Sequence, residues 1–168
     1  MDPKYVYVGV AGAILLVLVF AFWPKPSALS GPAGATLNFM GVPVSLNPVN
    51  GEDVPCIGAP EGYARVFYEH DSDEYGEYTT VGYAREGDHL DEVLSWLESQ
   101  VSTCGYEKAS DTSVSVSGIV GRSISFEKAD GSEALSVDVG VVAGADGKRY
   151  TIMRIGHDVY YESGRRER

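Results

Sequence analysis

The sequence predicts an α+β protein. An N-terminal transmembrane helix is followed by a two-layer domain, an antiparallel sheet of order β-β-α-β-β-β with one helix packed on one face. Three observations predict it. Residues 5–23 are apolar and uncharged. Residues 89–104 carry a single apolar stripe at helical spacing. The segments on either side of that helix alternate apolar and polar residues, around a turn-like DSDEYG before it and Asp-Gly turns after it.

Taken in order, residues 1–4 form a short tail ahead of the run YVYVGVAGAILLVLVFAFW at 5–23. At about 1.5 Å per residue, that run covers roughly 28 Å as a helix, close to the hydrocarbon thickness of a bilayer. Tyr5 and Tyr7 mark one end, and Phe22 and Trp23 the other, where aromatic rings favour the headgroup boundary. Pro24 and Pro26 stop the helix because each lacks an amide donor. The predicted partner of 5–23 is therefore the lipid bilayer. The alternative is a cleaved signal peptide, with the weakly basic MDPK as its leading region.

Lys4 and Lys25 flank the run evenly, so loop charge does not set the orientation. The very short N-terminal piece, the acidic body and the presence of two cysteines favour a C-terminal domain outside the cytoplasm. The expected location is the cell membrane, in a single pass.

Residues 24–35, PKPSALSGPAGA, have the composition of a flexible linker. Residues 36–62 are proline-rich, and TLNF and VPVSL within them read as short edge strands. The α+β domain is expected over 63–158. YARVFYEH (63–70) and EYTTVGYA (77–84) alternate as strands around the turn-like DSDEYG.

The helix is expected over 89–104. Asp88 is its N-cap, Asp91 and Glu92 sit in its first turn, and Leu90, Val93, Leu94, Leu97, Val101 and Cys104 form its buried stripe. Gly105 is placed to end it. Residues 113–128 are expected to be one bent strand or two. EALSVDVGVVA (133–143) and RYTIMRI (149–155) follow, after turns at Asp130-Gly131 and Asp146-Gly147. Residues 159–168 form a basic tail with Arg165, Arg166 and Arg168.

A net charge of −11 repels phosphate backbones, so no nucleic-acid partner is expected. Cys56 and Cys104 are the only cysteines. In an oxidising compartment they pair as a disulfide, while the place of Cys104 on the apolar stripe also suits a buried thiol. No CxxC, HExxH, P-loop, GxGxxG or GxSxG pattern occurs, so neither a cofactor nor catalytic residues are assigned.

The acidic stretch EHDSDEYGEY (69–78) raises a metal question. Asp71, Asp73 and Gly76 fall at positions 1, 3 and 6 of a calcium loop, but position 12 is Gly82 and the flanks are strands, which excludes an EF-hand. A looser cation site would draw on His70, Asp71, Asp73, Glu74 and Glu77. The other reading is a solvated hairpin turn. His157 is expected just after the last strand. Tyr75, Tyr78, Tyr160 and Tyr161 are candidates for a contact surface, since tyrosine offers area and a hydrogen bond at little entropic cost; tyrosine also simply fills strand positions.

The function expected is a non-enzymatic interaction or envelope-assembly module with a protein partner in the envelope. The alternatives are a small metal-dependent hydrolase using His70, Asp71 and Asp73, and an accessory subunit of a membrane complex.

Overall fold

The structure is a computed structural model that describes residues 36–116 and 118–161. The apolar run at 5–23, the linker at 24–35 and residues 162–168 of the tail lie outside them. Among the described residues, no helix is long and apolar enough to cross a membrane.

The chain forms β1 (Thr36–Phe39), β2 (Val42–Ser45), β3 (Ala64–Ser72), β4 (Gly76–Glu86), α1 (Leu90–Thr103), β5 (Tyr106–Val116), β6 (Ile119–Lys128), β7 (Glu133–Ala143) and β8 (Arg149–Tyr160). β1 and β2 pair as a small hairpin. The other six strands form one antiparallel sheet in the order β3-β4-β8-β7-β6-β5.

Side chains alternate across this sheet, so each central strand feeds two cores. On one face, Val81 and Tyr83 of β4, Leu135, Val137 and Val139 of β7, and Met153 and Ile155 of β8 meet Val93, Leu97 and Val101 of α1. Six strands span roughly 24 Å, whereas a helix is only about 10 Å wide. The remaining width is covered by the loop before β3, whose Val54 and Ile57 are buried in the same cluster. On the opposite face, Leu37, Phe39 and Val44 of the hairpin pack on Ala84, Val142 and Ile152. The sheet therefore carries cover on both faces, where a bare two-layer stack was expected.

Three other expectations are corrected. First, residues 113–128, expected as one bent strand or two, belong to two strands, so four strands of the sheet follow the helix where the element order counted three. β5 starts at Tyr106, and only two residues separate Val116 from Ile119, with Gly118 at φ +82°. The first half of β5, YEKASDT, has no apolar alternation because an edge strand need not bury one face fully. Second, His89 rather than Asp88 occupies the N-cap, with no side-chain capping bond. Its backbone N–H donates to Thr151 Oγ1 at 2.8 Å, and Asp88 instead pairs with Arg149 at 3.0 Å. Third, β8 runs on to Tyr160, so His157 is a buried strand residue.

Cys56 and Cys104 are joined as a disulfide, with Cα atoms 5.9 Å apart. The bridge ties the covering loop to the end of α1. Gly105 adopts φ +78° there, as expected of a residue that ends a helix.

Candidate functional site

The stretch 69–78 is the end of β3, a tight turn and the start of β4. Its acids satisfy the backbone of that turn: Asp73 Oδ1 accepts from the amides of Tyr75 at 2.8 Å and Gly76 at 3.0 Å, and Asp71 Oδ1 accepts from the amide of Ser72 at 2.8 Å. His70 lies opposite Thr79, and its Nδ1 is 2.9 Å from Thr79 Oγ1. Asp71 lies opposite Tyr78 on the other face, while Glu77 faces Ser72. Strand alternation thus separates His70 from Asp71. Among the described residues, no group of three His, Cys, Asp or Glu side chains is placed to hold a metal ion.

The same register gathers the four tyrosines at one end of the sheet. Tyr160 lies opposite Gly76, and Tyr78 opposite Asp158. The amide of Tyr161 donates to the carbonyl of Tyr75 at 2.9 Å. Gly76 permits this close approach, because a Cβ there would lie 2.1 Å from the Val159 carbonyl oxygen. Tyr75, Tyr160 and Tyr161 are exposed by 57%, 42% and 39%, which makes them three of the five large hydrophobic residues exposed in the described chain.

Carboxylates surround these rings. The Tyr161 hydroxyl donates to Glu77 at 2.8 Å, and this bond raises its pKa. Burial and then Asp158 raise that of Tyr160; burial, Asp73 and Asp158 raise that of Tyr78. Each phenol is thereby kept as a hydrogen-bond donor beside negative charge. Burial also raises the Asp158 carboxyl. The end can offer aromatic faces and acceptor oxygens together, which suits a cationic surface.

Two half-buried networks escaped the sequence reading. In the first, Glu133 Oε2 accepts from the Tyr106 hydroxyl at 2.5 Å and lies 3.0 Å from His157 Nε2, while Lys128 Nζ donates to Oε1 at 2.6 Å. Burial alone would raise the Glu133 carboxyl, but the bonds from Lys128, Tyr106 and His157 outweigh it and hold the pKa at about 2. This network joins the ends of β5, β6, β7 and β8. His157 follows Met153 and Ile155 at strand spacing, so an extended alternation would have placed it inward.

In the second, Arg65 pairs with Asp53, and its Nη1 donates to the Gly51 carbonyl at 2.6 Å. The Tyr83 hydroxyl donates to Asp53 Oδ1 at 2.7 Å. Burial works to raise the Asp53 carboxyl, yet the bonds from Arg65 and Tyr83 bring it below its ordinary value. These groups clamp the covering loop to β3 and β4. No local pattern reveals a contact between residues this far apart in sequence.

An open groove of about 340 Å³ runs between α1 and the β5–β6 pair, lined by Asp91, Leu94, Ser95, Glu98, Asp111, Arg122 and Ile124. Its walls are linked by ion pairs: Arg122 meets Asp111 at 2.5 Å, and Lys108 bridges Glu98 at 2.8 Å and Asp111 at 3.2 Å. Comparison of the chain with protein-family models, with curated proteins and with solved structures finds no match.

Proposed function

We propose that the chain is a single-pass, membrane-anchored, extracytoplasmic module for protein interaction or envelope assembly, and that the tyrosine–carboxylate end of its sheet is the contact surface. The observation that carries the reading is that Tyr75, Tyr160 and Tyr161 are all exposed at one end of the sheet, with Tyr160 beside Asp158 on one face and Tyr161 bonded to Glu77 on the other. Exposed tyrosines along one end of a sheet supply the anchors that protein interfaces favour. The surrounding acids select a partner with Arg or Lys at its contact. The apolar run at 5–23 supports the anchor, and the Cys56–Cys104 bridge supports an oxidising compartment.

The test is photocrosslinking in native membranes. A photoreactive residue at position 75 or 161 of the full chain should give one defined protein adduct. The same residue at 146, in the β7–β8 turn at the other end of the sheet, should give none. The adduct partner should also co-purify with the wild type in mild detergent, less so at raised salt, and be lost in the Tyr75→Ser/Tyr160→Ser/Tyr161→Ser variant. Equal adducts at both ends, or a partner retained by the triple variant, would remove the tyrosine end from the account. Stoichiometric metal in the purified protein, lost on His70→Ala/Asp71→Ala, would favour the hydrolase reading instead.

A further inference from the structure

The sheet has two edges, β3 and β5, and only one is protected. Across β3 lies the covering loop: the amide of Val49 donates to the Arg65 carbonyl at 2.9 Å, and Gly51 packs directly over Tyr68. β3 also has a register shift between Arg65 and Phe67, and bears Glu69 and Asp71. Bulges, charges and covering segments are how proteins blunt an edge.

β5 is protected only in its first half, which holds Glu107, Lys108 and a register shift between Lys108 and Ser110. Its second half, Thr112–Val116, has no charge, no proline and no shift. Among the described residues, no backbone hydrogen bond reaches β5 from outside the sheet. Such a stretch presents a row of unpaired amides and carbonyls.

The pairing parity says which groups these are. Two residues separate Val116 from Ile119, so this pair closes the hairpin with mutual hydrogen bonds. Val114 and Thr112 then also bond inward to β6. The backbone groups of Ser115, Ser113 and Asp111 point outward.

Residues 24–35 and 162–168 are poor occupants of that edge. Residues 162–168 start beside Tyr161, at the Tyr106 end of β5. Ser113 lies seven residues along and three strands across from there, roughly 27 Å away, beyond the reach of seven residues with any length left to pair. Residues 24–35 hold three prolines, and the rest are Gly, Ala, Ser, Leu and Lys, which makes a weak strand lacking several donors.

The segment is, however, complementary to itself. Antiparallel pairing about Ser113 sets Thr112 opposite Val114 of the other copy on one face, and Asp111 opposite Ser115 on the other. No like charges meet, and the charge of Asp111 is already answered by Arg122 and Lys108. We propose that Thr112–Val116 pairs antiparallel with the same segment of a second copy of this chain, about a twofold axis at Ser113, joining two sheets into one of twelve strands. An isologous contact of this kind closes at the dimer.

The test uses the full chain in mild detergent. A hydrogen-bonded antiparallel pair has its Cα atoms about 5.5 Å apart, within disulfide range. Ser113→Cys, the only free thiol once Cys56 and Cys104 are joined, should therefore crosslink to its own copy on mild oxidation. Ser115→Cys should not, because the two copies of that residue would lie about 13 Å apart along the strands.

By light scattering at roughly 100 μM chain, where small interfaces still register, the wild type should show dimer. The dimer fraction should rise between about 0.1 M and 1 M salt, as the repulsion of two acidic bodies is screened. Ser113→Pro, which removes one outward N–H and spares the β6 ladder, and Ser113→Lys, which sets like charges on the twofold axis, should both be monomeric while keeping the wild-type unfolding temperature. If Ser113→Pro fails to fold, Ser113→Lys and the crosslink pair decide. A monomeric wild type at both salt levels, equal crosslinking at 113 and 115, or a dimer that survives Ser113→Lys would overturn the proposal.

Discussion

Removing the disulfide by Cys56→Ser/Cys104→Ser should weaken the domain by an amount that follows from its place in the chain. The bridge closes a loop with a sequence separation of 48. In the chain-entropy account, such a loop restricts the unfolded chain by about 4 kcal/mol. With roughly 2.1 cal/mol/K of unfolding entropy per residue over roughly 125 ordered residues, this corresponds to a drop of about 15 °C in Tm. The local structure refines the expectation. Cys56 sits at φ +69°, a conformation that serine keeps as strained as cysteine does. Cys56→Gly/Cys104→Ser should therefore lose about 1 kcal/mol less than the serine pair. Val54 and Ile57 stay buried, and Asp53 still holds Arg65, so the loop should remain in place with faster amide exchange at Ile57 and Gly58. Calorimetry and hydrogen exchange read both effects. A Tm within about 3 °C of wild type would refute the entropic reasoning. An equal loss in the glycine variant would refute the strain argument.

Asp53→Ala leaves the Arg65 guanidinium and the Tyr83 hydroxyl without their shared acceptor, and should cost about 2 kcal/mol in denaturant unfolding, since the pair is partly exposed and Arg65 keeps the Gly51 carbonyl; Tyr83→Phe, which removes one hydrogen bond, should cost about 1 kcal/mol. Glu133 is held at about 2 against an ordinary 4.5, so its contribution is complete above pH 4.5 and is lost as pH falls towards 2. That part of the acid destabilisation, on the order of 2 kcal/mol after allowing for its partial exposure, should vanish from the pH–stability curve of Glu133→Gln. Gly76→Ala forces a methyl against the Val159 carbonyl and should open the β4–β8 pairing at the tyrosine end, at a cost of about 2 kcal/mol, with faster exchange at the Tyr161 amide.

How much of this was legible beforehand depended on the range of the interaction. The stripe from Leu90 to Val101 gave the helix, because burial on one side imposes a period within a single turn. Alternation and Asp-Gly turns likewise gave β3, β4, β7 and most of β8. The first half of β5 was hidden: an edge strand with Glu107, Lys108 and Asp111 has no face that must be apolar throughout. The cap was misplaced because Thr151, sixty-two residues on, bonds the His89 amide and Asp88 finds Arg149 instead. The tyrosines could be named from composition, but only the register of β4 against β8 and the Tyr161–Tyr75 backbone bond place Tyr75, Tyr160 and Tyr161 at one end of the sheet. The same register separates His70 from Asp71. The Asp53–Arg65–Tyr83 clamp joins a loop to two strands and leaves no periodic trace.

The location of the domain is tested most directly by the thiols in living cells. Intact cells would be quenched in acid, and free thiols alkylated with a mass-shifting maleimide before and after reduction. A domain held outside the cytoplasm predicts that Cys56 and Cys104 are both blocked until a reductant is added. Two thiols labelled without reduction, on protein recovered from the cytosolic fraction, would contradict it.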